Sequence, residues 1–103
     1  MLERFIDRMI PDLCTAYPER FGNATREQVR SFIAACVQTC LEHHIKPEYL
    51  VRGYLHLCGD AGADIAVTPR HRAWVGAILR DEKLGPEGKV EALETEYEQE
   101  RSR

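Results

Sequence analysis

Leu2, Phe5, Ile6, Met9, Ile10, Leu13, Cys14 and Tyr17 recur at the i, i+3, i+4, i+7 spacing. Side chains spaced this way fall on one face of a helix turning 3.6 residues at a time and cannot line one face of a strand. The pattern therefore commits the start of the chain to an amphipathic helix with one buried stripe. Pro11 lies off that stripe. A mid-helix proline removes a backbone hydrogen bond and crowds the preceding turn, at about 3 kcal/mol. This predicts a kink, or a break in which Pro11 opens a second short helix. The stripe keeps its phase past Pro11, which favours the kink.

The same period continues. Tyr17-Pro18 ends the first helix, because the residue before proline is driven out of the helical region. Thr25 reads as an N-cap with Gln28 closing a capping box, followed by a stripe of Val29, Phe32, Ile33, Cys36, Val37, Cys40, Leu41 and His44. Pro47 is placed to open a third helix with Leu50, Val51, Tyr54, Leu55 and Cys58 inward, and Gly59 stands where a left-handed C-cap would be. Residues 59–64 read as a loop, and Thr68-Pro69 predicts the start of a fourth helix carrying Trp74, Val75, Ile78 and Leu79. Gly85-Pro86 restarts the chain into a segment with only Val90, Leu93 and Tyr97 on its stripe. No alternating run, repeat or low-complexity tract interrupts the series. The expectation is an all-α protein, a compact bundle of four to five short helices. Residues 1–85 form the single domain, and residues 86–103 add an acidic helix that docks loosely.

At 103 residues, 44% hydrophobic and 30% charged, the chain is in the globular range and holds one core. Residues 1–80 balance at +1 and residues 81–103 at −4, so the tail is the acidic part and no basic face argues for nucleic acid. No run approaches the about 20 apolar residues of a membrane span. Charged Glu3, Arg4, Asp7 and Arg8 interrupt the N-terminal apolar residues, unlike a signal peptide. A cytoplasmic location is expected, with Cys14, Cys36, Cys40 and Cys58 reduced.

Three constellations bear on chemistry. Cys36, Cys40 and His44 fall on one helical ridge, yet three ligands stacked along one helix converge poorly on a tetrahedral ion, and no loop-borne cysteine pair is present. Cys36 and Cys40 are expected as small core residues. Asp60 and Asp64 sit four apart in a glycine-containing loop, without the further oxygen ligands of a calcium loop, and are expected to be solvated. Arg70, His71 and Arg72 beside Trp74 suit a phosphate or a protein interface, since Arg and Trp are frequent anchors. The reading is a non-enzymatic, protein-binding chain with no catalytic residues, metal or cofactor. Contact candidates are Tyr54, Arg70, Arg72 and Trp74, with Val90, Leu93 and Tyr97 on the last helix. The alternative class is a metal- or thiol-dependent enzyme. A chain this small has a thin margin of burial, so a partner or a second copy (a homodimer) is expected to cover apolar surface.

Taken in order, several landmarks carry a resemblance: Ala16-Tyr17-Pro18, Val29-Arg30 to Ile33, and His44-Ile45-Lys46-Pro47-Glu48 leading into Leu50-Val51 and Tyr54-Leu55. Gly59 followed by Asp60, then Trp74 with Ile78-Leu79, complete it. Over roughly residues 5–80 the chain resembles the small helical accessory proteins encoded beside bacterial type VI secretion effectors. It departs from them in having Cys36 and Cys40 where Gly or Ala is usual, and in a loop at 60–68 that lacks an aromatic residue. The resemblance implies a co-chaperone that associates with an effector chaperone before loading onto the secretion spike. An immunity protein that binds the secreted effector and neutralises it is the rival within the same setting.

Overall fold

The computed structural model describes residues 2–103, which fold into six helices with no strand among the described residues. These are α1 (Leu2–Ala16), α2 (Pro18–Phe21), α3 (Arg26–Glu42), α4 (Glu48–Ala61), α5 (Arg72–Leu79) and α6 (Pro86–Arg101). The count exceeds four to five because Tyr17-Pro18 splits off α2, a one-turn helix. The thinnest dimension, 19 Å, is about two helix diameters, so the bundle is two layers deep. No described helix is long and apolar enough to cross a membrane.

Helix α1 runs unbroken through Pro11. Pro11 is exposed, so the backbone group it leaves unpaired faces water. The opposite face buries Phe5, Ile6, Met9, Ile10 and Leu13. Thr25 and Gln28 form the expected box, each side chain bonding the other's backbone N–H at 3.1 and 2.9 Å. Helix α3 then buries Val29, Ile33, Cys36, Val37 and Cys40. It ends at Glu42, two residues before the last member of the stripe. His44 takes a left-handed φ of 64° and is exposed, while the Ile45 N–H closes on the Cys40 carbonyl at 2.8 Å and Ile45 itself is buried. The ridge expected to hold Cys36, Cys40 and His44 therefore loses its histidine to the solvent side of a helix end.

Two further boundaries shift. Helix α4 continues past Gly59 to Ala61, and the left-handed cap is Gly62, at φ 83°. Gly59 serves a different purpose. A β-carbon there would lie 2.8 Å from the Tyr17 ring, so glycine lets the end of α1 press against α4. At Thr68-Pro69 the chain turns without entering a helix. Thr68 Oγ1 bonds the His71 ring at 2.9 Å instead of capping, and α5 opens three residues later than expected, at Arg72.

Helix α1 packs on α3 and α4, α3 on α4, and α4 on α6, whereas α5 packs on α6 rather than on its predecessor. Helix α6 corrects the expectation of loose docking. Val90, Leu93 and Tyr97 all lie in the common core, at 3%, 0% and 7% exposure. Three side chains suffice because α6 is clasped between α4 and α5.

Candidate interaction surface

The side chains with chemical potential gather at three points. The first is buried. Asp64, on the loop after α4, turns into the core and collects donors from two helices and its own loop. Tyr54 donates to Oδ1 at 2.5 Å, Thr39 to Oδ2 at 2.7 Å and the Ala66 N–H to Oδ1 at 3.1 Å. The Cys58 thiol points at Oδ1 from 3.9 Å, and Cys36 completes the cluster. A hydrogen bond with Cys58, followed by burial, pushes the Cys36 thiol far up from its ordinary pKa; burial does the same to Cys40 and to Tyr54. These groups hold their protons across the physiological range, and all three are fully enclosed. The expectation of Cys36, Cys40 and Cys58 in the core matches this placement. The solvated Asp64 does not: its carboxylate is a structural centre.

The second point is a shallow cleft of about 530 Å³ between α1, α4 and α6. His56 bridges Tyr17, 3.0 Å from Nδ1, and Asp12, 3.3 Å from Nε2. With a neutral ring, the carboxylate fixes the proton on Nε2, and Nδ1 accepts from the Tyr17 hydroxyl. Asp12 also takes the Arg52 guanidinium at 2.9 Å, which holds its carboxyl below the usual range against the opposing effect of burial. Burial, then Asp60 and Asp12, push the Tyr17 hydroxyl up, so it stays protonated. Across the cleft Tyr97 donates to Asp60 at 2.7 Å and Arg101 pairs with the same carboxylate at 3.6 Å. Asp12 with Arg52 and Asp60 with Arg101 are paired here, whereas Glu94 and Glu98 on the α6 side of the cleft form no ion pair among the described residues. The arrangement ties the end of α1 to α4 and α6.

The third point is Glu100 on α6. Its carboxylate receives Arg70 Nε at 3.1 Å, His71 Nε2 at 3.1 Å and Trp74 Nε1 at 2.8 Å. Two of the sequence-predicted contact residues, Arg70 and Trp74, are thus brought together, but onto this chain's own last helix. Tyr54 is fully buried, and Val90, Leu93 and Tyr97 are core residues; in this conformation none of the four presents its apolar side chain to a partner. Arg72 alone of the set is exposed with no bond to another side chain among the described residues.

What remains open is apolar. Leu2, Phe5, Val37, Leu41 and Val51, from α1, α3 and α4, line a groove of about 380 Å³. Arg4, Arg8, Lys46 and Glu48 edge it. Arg8 and Glu48 pair across one end at 2.8 Å, and beyond that bridge a second hollow opens over Phe5, Met9 and Tyr49. The two hollows make one strip, with Leu2 (46% exposed) at one end and Tyr49 (65%) at the other. Among the described residues Arg4 and Lys46 form no ion pair, so the groove carries uncompensated positive charge on its edge. Phe5, Val37 and Val51 form its buried floor, at 5%, 1% and 4% exposure, and sequence reasoning missed the surface because its exposed members, Leu2 and Tyr49, come together only once α1 and α4 are packed. Two signals were present: Leu2 is the terminal member of its stripe, and Tyr49 falls outside the α4 stripe between Glu48 and Leu50.

No protein-family model matches the chain, and neither the curated proteins nor the solved structures contain a detectable match.

Proposed function

We propose that this chain is a non-enzymatic, protein-binding accessory factor, and that it acts as a co-chaperone associating with an effector chaperone in bacterial type VI secretion. The observation that carries the binding role is the apolar strip from Leu2 to Tyr49, which is edged by Arg4 and Lys46 and whose two ends no other described residue covers. Exposed contiguous apolar surface with a polar edge is the usual mark of a protein-binding site. Cys36, Cys40 and Cys58 are enclosed in the core, and Asp12 with Arg52 and Asp60 with Arg101 are paired at the cleft, which fits a structural use of those groups. The secretion setting comes from the resemblance over residues 5–80.

The partner segment this groove suits is a helix with apolar anchors and acidic flanks. The test is co-expression with the products of the neighbouring genes, followed by capture of the complex. Leu2→Glu combined with Lys46→Glu adds charge to the floor and reverses the edge, and is expected to weaken capture at least about tenfold, roughly 1.4 kcal/mol. Full retention by that variant, with its fold intact, would remove the groove from the interface. Capture of the toxin itself, with sensitivity of cells lacking this chain, would instead make it an immunity protein.

A further inference from the structure

We propose that Cys36, Cys58 and Asp64 form a structural site for a thiophilic divalent cation, zinc in the first instance, set in the core where α3, α4 and the following loop meet. This goes beyond the binding role and stands independently of it.

One ligating atom from each of the three residues lies within 4.8 Å of the other two. A tetrahedral zinc ion, with bonds of about 2.3 Å to sulfur and about 2.0 Å to oxygen, separates a sulfur from an oxygen ligand by about 3.5 Å and two sulfurs by about 3.8 Å. The Cys58–Asp64 separation of 3.9 Å is within a few tenths of that. The donors come from two helices and a loop, so they converge on a point instead of stacking along one ridge.

The carboxylate points the same way. An aspartate turned into an aliphatic core costs several kcal/mol of desolvation unless something compensates for it. Tyr54, Thr39 and the Ala66 N–H supply part of that compensation, and they also fix the carboxylate's orientation, as outer hydrogen bonds do for ligating carboxylates. The thiol proton that Cys58 directs at Oδ1 occupies the place a cation would take. Metal binding would displace one proton from each ligating thiol to solvent, leaving thiolates whose charge the ion balances. The hydrogen bond with Cys58, then burial, disfavours the Cys36 thiolate without an ion.

The test uses the full chain without a histidine tag, refolded with excess zinc and dialysed. Metal analysis should find about one zinc per chain. Cobalt refolded in its place should give the near-ultraviolet thiolate-to-metal band and the visible bands of a tetrahedral site. Cys58→Ser should abolish the thiolate band, whereas Cys14→Ser, on α1 outside the cluster, should keep it. Asp64→Asn should weaken zinc binding at least about tenfold. Wild-type protein that refolds without retaining zinc or developing the cobalt band would overturn the proposal, as would a band that survives Cys58→Ser. Should Cys58→Ser not fold, the wild-type stoichiometry and the Asp64→Asn affinity still decide the matter. Neither readout involves partner capture, so this site and the groove stand or fall separately.

Discussion

Asp64 and Glu100 are each a carboxylate that gathers three donors from elsewhere in the chain, yet they do different jobs. Asp64 takes two hydroxyls and a backbone N–H, all neutral, in the interior between α3 and α4. Glu100 takes a guanidinium, an imidazole and an indole nearer the surface, and Arg70 is itself well exposed. Loss of the inner carboxylate strands the Tyr54 hydroxyl, which is fully buried. Loss of the outer one frees the exposed Arg70 and the half-buried Trp74, with His71 the one buried donor. A hydrogen-bond inventory alone would rank the two alike; the cost of leaving a buried group unpaired separates them.

The largest effect should therefore come from Asp64→Ala. It removes the acceptor of the Tyr54 and Thr39 hydroxyls together, and no buried side-chain polar atom among the described residues lacks a partner at present. A loss of about 3 kcal/mol in denaturant unfolding is expected with chelator present, so that no metal contributes. Glu100→Ala should cost about 1.5 kcal/mol, mostly from the unpaired indole N–H of Trp74 and the loosened C-terminal turn of α6. Its effect should shrink in high salt, because the Arg70 pair is exposed and screened, while the Asp64→Ala loss should not. Equal losses in the two variants would show that burial does not distinguish the centres.

The comparison also marks what the sequence could reveal. Repeating apolar spacing announced the helices, and local chemistry announced two of their starts: the Thr25–Gln28 box and Gly85-Pro86. Both signals operate within four residues. Asp64 meets Thr39 across 25 positions and Tyr54 across 10, and Glu100 meets Arg70 across 30; such pairings exist only once the helices are packed. From composition, a loop aspartate near glycines is a solvated turn residue. Nothing adjacent in the chain says that Ile65, fully buried, drags its neighbour Asp64 inward. The groove was hidden for the same reason. Its exposed members, Leu2 and Tyr49, stand far apart in the chain and share one surface only after α1 packs on α4. For α6 the error ran the other way: three apolar residues looked too few to anchor it, and packing between α4 and α5 made them enough.

Tyr54→Phe sharpens the inner half of the comparison. It keeps the ring in place and removes one of the donors to Asp64, so a loss of about 1 kcal/mol is expected. Burial holds the Tyr54 hydroxyl above its ordinary pKa of 10.0. Its stabilising contribution is thus fully present below the unfolded value and is lost as pH rises towards the higher folded one. Alkaline unfolding should accordingly begin at higher pH in Tyr54→Phe, relative to each protein's neutral stability. An unchanged alkaline limb would mean that another group governs it.

The smallest effect belongs to a third carboxylate, Asp12, whose partners Arg52 and His56 lie at the edge of the cleft. Arg52 holds the Asp12 carboxyl below its ordinary value of 3.8 in the folded chain. A depressed pKa contributes stability above the unfolded value, and that contribution disappears as pH falls through the lower folded one. The window is therefore below about pH 4. Because Arg52 is more than half exposed, solvent screens the pair and Asp12→Asn should cost only a few tenths of a kcal/mol at neutral pH. Its clearer signature is a shallower acid limb in the pH dependence of unfolding. Asp12→Asn tests whether position, rather than the formal charge of the partners, sets the value of a carboxylate here: Asp12 takes a guanidinium where Asp64 takes only neutral donors, and should matter least. A neutral-pH loss approaching that of Asp64→Ala would refute that ordering, and would make the Asp12–His56–Tyr17 chain a principal fastening of α1 to α4.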